Sequence, residues 1–126
     1  MAMRWFNKPK PKEIWEEPVA WPLGDIEAAH RIRDICRSAA DSAASAAAPD
    51  AKNRQDEFQR YERAARAAME TAMKIGDDLL RDSAVRQIID LCLMADDLRT
   101  ARILFRAIQA PSIRDDALRD HPLLAE

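Results

Sequence analysis

The sequence predicts an all-α protein, and three observations carry that expectation. Twenty-four of the 126 residues are alanine, while glycine, valine and threonine appear only twice each. Strands favour β-branched and aromatic residues, and their turns favour glycine, so a sheet lacks its usual material. From residue 25 onward, apolar residues recur at spacings of three and four, which is the helical period. With only Gly24 and Gly76 present, a glycine-rich phosphate loop has no residues to build it. The length suits one domain.

Residues 1–24 differ in composition from the rest. They hold Pro9, Pro11, Pro18 and Pro22, four of the seven prolines, and all three tryptophans, Trp5, Trp15 and Trp21. Lys8 to Lys12 alternates lysine with proline, and proline restricts both its own φ and the residue before it. The segment therefore reads as an extended arm ahead of one helical domain at 25–126. Tryptophan is costly to leave in water, so the arm is expected to lie on its own helices or on a partner.

The first helix is expected over 25–46, with Asp25 as its cap. Its apolar face is read as Ile26, Ala29, Ile32, Cys36, Ala39 and Ala43. Glu27 with Arg31, and Arg37 with Asp41, are spaced for ion pairs on the exposed side. The alanine-rich stretch from Ala43 to Ala48 buries little area and is expected to fray before Pro49.

The second helix is expected over 51–75. Phe58, Tyr61, Ala65, Ala68, Ala72 and Ile75 form a heptad-like seam that should pack on the first helix. Glu62, Arg66, Glu70 and Lys74 alternate in sign along a solvated face. Gly76 then stops the helix.

The third helix is expected over 78–95, capped by Asp77, with Val85, Ile88, Ile89, Cys92 and Ala95 inward. Asp96-Asp97 leads to a fourth helix over 98–109, with Leu98, Ala101, Leu104, Phe105 and Ile108 inward. Such a short connection forces an antiparallel hairpin. Pro111 suits a first helical position and opens a fifth helix over 112–120.

An offset of 33 residues aligns 66–86 with 99–119 at seven identities, among them Ile75/Ile108, Arg81/Arg114, Asp82/Asp115 and Arg86/Arg119. Each copy ends a helix at isoleucine and opens the next with an Arg-Asp pair. Asp82 and Asp115 stand early in their helices, four residues before an arginine, where pairing along the helix is expected.

The run Asp96-Asp97-Leu98-Arg99-Thr100-Ala101, followed by Phe105 and Ile108, resembles the turn and second helix of a tetratricopeptide repeat. In that family a small residue at the Ala101 position lets two helices cross closely, and an aromatic like Phe105 packs between hairpins. Pro111 stands near the family's closing proline. Ile89 departs from the pattern, since a small residue usually sits there, and Val85 and Cys92 replace aromatics. The resemblance covers residues 79–119 in degenerate form. It implies stacked helical hairpins that bind a protein or peptide.

The charge is −2 overall but uneven. Residues 1–12 carry Arg4, Lys8, Lys10 and Lys12 and no acid, residues 13–24 total −3, and residues 76–126 total −3. There is no global field to attract DNA. Nucleic-acid binding remains the alternative, through Lys8, Lys10, Lys12, Trp5 and Phe6 together with Lys52, Arg54, Arg60, Arg63 and Arg66. Acids beside those arginines favour a balanced, solvated face instead. Met1–Lys12 lacks the apolar stretch of a signal peptide, and no run reaches the ~18 apolar residues of a membrane span. A soluble, cytoplasmic protein with two reduced thiols, Cys36 and Cys92, is the expectation.

His30 and His121 are the only histidines, and no ligand pair has metal spacing. The acidic pairs 77/78, 96/97 and 115/116 recur at helix starts, so capping explains them better than acid–base chemistry. No catalytic residue, metal or cofactor is expected. The expected function is a non-enzymatic protein–protein interaction module, an adaptor, chaperone or accessory subunit of bacterial type. Its partner surfaces would be Trp5, Phe6, Trp15 and Trp21 of the arm, and a groove between hairpins around Arg99, Arg102, Arg106 and Arg114.

Overall fold

In the computed structural model, residues 12–125 can be described. They form five helices: α1 (Asp25–Ala47), α2 (Arg54–Ala72), α3 (Asp78–Met94), α4 (Leu98–Ala107) and α5 (Pro111–Asp120). No strand occurs among them. Short 3₁₀ turns lie at Ile14–Glu16, within the arm, and at Pro122–Ala125. The expected helices are all present. The second begins three residues later than expected and ends at Ala72, leaving buried Ile75 in the turn beyond it.

Three helices start where their local chemistry dictates. Asp77 and Asp97 cap α3 and α4, accepting the N–H of Leu80 at 2.8 Å and of Thr100 at 3.3 Å. Pro111 occupies the first turn of α5, where its missing N–H costs nothing. α1 departs from expectation. Gly24 is its cap residue, and the Asp25 side chain turns away to accept the N–H groups of Gly76 and Asp77 at 3.0 and 2.9 Å. Those amides lead into α3, so an acid from one hairpin closes the start of the next.

α1 and α2 pack along each other as one hairpin, α3 and α4 as a second, and α3 also lies against α1 and α2. The buried face of α1 is Ala28, Ile32, Ile35, Ala39, Ser42, Ala43 and Ala46, a 4-3-4-3 seam. This corrects the expected face. Ile26 is exposed, and Ile35 and Ala28 are inward in its place. Alanine surrounds the helix on several sides, so its periodicity alone does not fix which stripe faces inward.

The α2 seam is as expected: Tyr61, Ala65, Ala68 and Ala72 are buried, with Ala64 and Thr71 beside them. Facing alanines let the two backbones approach closely. The alanine-rich end of α1 is helical through Ala47, and Arg54 Nε donates to the Ala46 carbonyl at 2.9 Å. That bond satisfies one of the carbonyls a helix end leaves open.

The larger apolar residues concentrate in the second hairpin. Val85, Ile88, Ile89 and Cys92 of α3 share one core with Ala101, Leu104 and Phe105 of α4, and with Ile108 just beyond. Asp96, between them, has φ 60°, the left-handed conformation that lets three residues reverse the chain. α5 contacts α3, and the last turn folds over α4 and α5, burying Leu124.

The 33-residue repeat is not repeated in its contacts. Asp82 is buried and accepts the N–H groups of Gln109 and Ala110, at 3.0 and 2.8 Å, whereas Asp115 is exposed. The expected pairing of Asp82 with Arg86 gives way to Arg86 with Asp90 and Asp120, at 3.1 and 2.8 Å. Arg119 pairs with Asp116, not Asp115. Burial decides this: a carboxylate inside the stack is held by backbone donors that water cannot replace.

Candidate protein-binding groove

Stacking the second hairpin beside the first leaves a groove between α2 and α4. α2 supplies Tyr61, Ala65 and Met69, spaced four apart and so on one face. α4 supplies Asp97, Thr100 and Leu104, again one face. Glu62 and Arg66 stand on the α2 rim. The cavity is about 270 Å³, enough for one or two side chains of a partner.

One end of the groove is closed by chemistry. The Tyr61 hydroxyl donates to Asp97 Oδ2 at 2.7 Å, and Asp97 Oδ1 meanwhile caps α4. Burial, with Cys92 and Asp97 nearby, pushes the Tyr61 phenol up, so it stays a protonated donor. Burial also raises both thiols, Cys36 to about 12 and Cys92 to about 11. These groups are therefore neutral near pH 7, and the groove offers an apolar floor and a charged rim.

The structure places the tryptophans unequally. Trp15 is buried against α1 and α2. The Arg60 guanidinium stacks on its ring at 4.9 Å, and the same guanidinium binds Glu13 with Nε at 2.6 Å and a second nitrogen at 3.0 Å. Arg60 also donates to Ser42 Oγ at 2.7 Å, and Arg31 to the Trp15 carbonyl at 3.3 Å. Trp15 thus supplies the apolar area that the alanine-lined hairpin lacks. Trp21 is half-exposed with Lys74 Nζ 5.0 Å from its ring. Trp5 and Phe6 lie outside the described residues.

The four arginines expected around the groove do not line it. Arg114 turns inward, donating to the carbonyls of Phe105 and Ile108 at 3.2 and 3.0 Å and stacking 4.4 Å from the Phe105 ring. A cation there satisfies the open carbonyls at the end of α4. Arg102 donates to the Leu123 carbonyl at 2.9 Å and holds the last turn. Arg99 and Arg106 are exposed. The partners of Arg102 and Arg114 are carbonyls, which a sequence does not mark.

The basic set of the nucleic-acid alternative is likewise divided. Arg54 and Arg60 are engaged as described, Lys12, Lys52, Arg63 and Arg66 are exposed, and Lys8 and Lys10 lie outside the described residues. Among the described residues, no cluster of three or more His, Cys, Asp and Glu side chains could hold a metal, and no helix is long and apolar enough to cross a membrane.

Comparison with family models, curated proteins and solved structures found no match. The groove residues Met69, Thr100 and Leu104 were not singled out as a site by the sequence. Their signal was present only as i, i+4 rows on two helices whose adjacency depends on how the hairpins stack.

Proposed function

We propose that the chain is a non-enzymatic protein–protein interaction module, an adaptor, chaperone or small accessory subunit, that holds a partner segment between α2 and α4. The observation that supports this is the groove itself: an apolar floor of Tyr61, Ala65, Met69 and Leu104 with Glu62, Arg66, Asp97 and Thr100 at its polar margin. Apolar floors with a few fixed polar groups are what peptide segments use for affinity and register. The degenerate tetratricopeptide-like pattern over 79–119 agrees with such a role. The arm contributes by holding the first hairpin in place through Trp15, leaving α2's other face for the partner. Work inside a cytoplasm of bacterial type fits two unpaired thiols and the Ala- and Arg-rich composition.

The test is affinity purification with the wild type and with Met69→Glu and Thr100→Arg, both on the groove wall. The expected result is loss of a specific partner in both variants with helix content retained, and a lower Tm only for Met69→Glu, whose side chain also packs on the core. A partner set that is identical in all three proteins overturns the groove. A steep, salt-dependent shift with nucleic acid would favour binding through the basic residues instead.

A further inference from the structure

A second surface lies away from the groove, at the end of the bundle where α2 stops and α1 and α3 begin. The bonds from Gly76 and Asp77 to Asp25 join these three helix ends. Four large apolar side chains collect there. Ile26 follows Asp25 and is 67% exposed, Leu79 lies in the first turn of α3 and is 62% exposed, and Met73 at the end of α2 is 70% exposed. Trp21, 44% exposed, sits beside Lys74, the neighbour of Met73. They are four of the seven exposed large apolar residues among the described residues. Scattered singly they would need no explanation, but gathered at one end they mark an interaction surface.

The charges around them are acidic. Residues 21–27 and 73–81 carry Asp25, Glu27, Asp77 and Asp78 against Lys74 and Arg81, a balance of −2. An anionic membrane surface is therefore a poor match, and a cationic, aromatic segment is a good one. The chain contains such a segment. Residues 1–12 carry four cations and no acid, with Trp5 and Phe6 next to each other. We infer that this end of the bundle receives the basic, aromatic N-terminal segment of a second copy of the chain. Four side chains fall short of the ~800 Å² per partner of a standard interface, which suits a short segment rather than a whole domain. Opposite charges steer the encounter, and the aromatic side chains bury against Ile26, Met73 and Leu79. The contact joins two different surfaces, so it closes as a two-fold dimer when two copies exchange segments and builds chains or rings when they do not.

Sedimentation velocity of the full chain tests this, from about 5 to about 500 µM at low and high salt. The expected result is an average mass that rises with concentration and an association at least tenfold weaker at high salt. Ile26→Ser with Leu79→Ser, and separately Lys8→Glu with Lys10→Glu, should each weaken it at least tenfold. Ile26 and Leu79 are exposed, and unchanged helix content and Tm of each variant confirm folding. A monomer at every concentration overturns the inference, as does association that neither pair of substitutions alters. Met69→Glu should leave the association intact, which separates this surface from the groove.

Discussion

The Asp82 carboxylate, buried in α3, accepts the backbone N–H of Ala110 at 2.8 Å. Ala110 is the cap residue of α5 and has no side-chain oxygen with which to cap it. Asp82 instead anchors the backbone just ahead of the helix from 28 residues away, taking the Gln109 N–H as well. A negative charge at a helix N-terminus is further stabilised by the helix dipole. Asp82→Ala should therefore leave two N–H groups without their acceptor and cost about 3 kcal/mol, lowering Tm by roughly 10 °C. Asp82→Asn keeps an acceptor and should lose less. Thermal melts of the two variants check the order, and equal losses would show that the bonds themselves matter little.

Trp15 should behave as a core residue despite lying in the arm. It is buried, stacked under Arg60 and tied through its carbonyl to Arg31. Trp15→Ala removes a large buried side chain and should cost about 3 kcal/mol. Glu13→Gln, at the partly exposed Glu13–Arg60 pair, should cost under about 1 kcal/mol, because water and salt screen such pairs. Urea titrations of both variants measure the contrast.

Acid should loosen the junction between hairpins. Backbone N–H groups of Gly76 and Asp77 hold the Asp25 carboxyl below its ordinary value of 3.8. A carboxyl lowered in the folded state contributes stability that is fully present above its unfolded value. The contribution is lost as pH falls from that value through the lower folded one. Arg86 lowers Asp120 in the same sense. Stability should thus decline as pH drops below about 4, and Asp25→Asn should flatten part of that decline. Melting temperatures between neutral and acid pH measure it.

Both thiols should be slow to react in the folded protein. Burial raises Cys36 to about 12 and Cys92 to about 11, so little thiolate exists near neutral pH. Alkylation should be slow in buffer and fast in denaturant. Rapid native labelling of Cys92 would contradict its burial.

Helix existence was legible in the sequence because three-and-four spacing is a local property. The seams of α2 and α3 were legible too, since Tyr61, Ile88 and Ile89 stand against polar neighbours. The α1 face was not, because alanines occupy several stripes and Ile26 matched one of them. The groove was legible only in fragments. Tyr61 and Leu104 were readable as inward, but their meeting with Asp97 and Thr100 depends on the stacking of two hairpins. Arg114 and Asp82 were visible as charges, yet their partners are backbone groups, identical at every position of a sequence.

Asp25 and Asp82 act alike in one further respect. Each fastens the start of one helix to another helix that precedes it by a hairpin. Two carboxylates therefore serve as pivot pins of the stack. The alanine seams allow neighbouring helices to slide, because small side chains interlock weakly, whereas a carboxylate holding two amides fixes both rotation and offset. Between α2 and α4 the corresponding tie is the Tyr61–Asp97 bond, inside the channel itself.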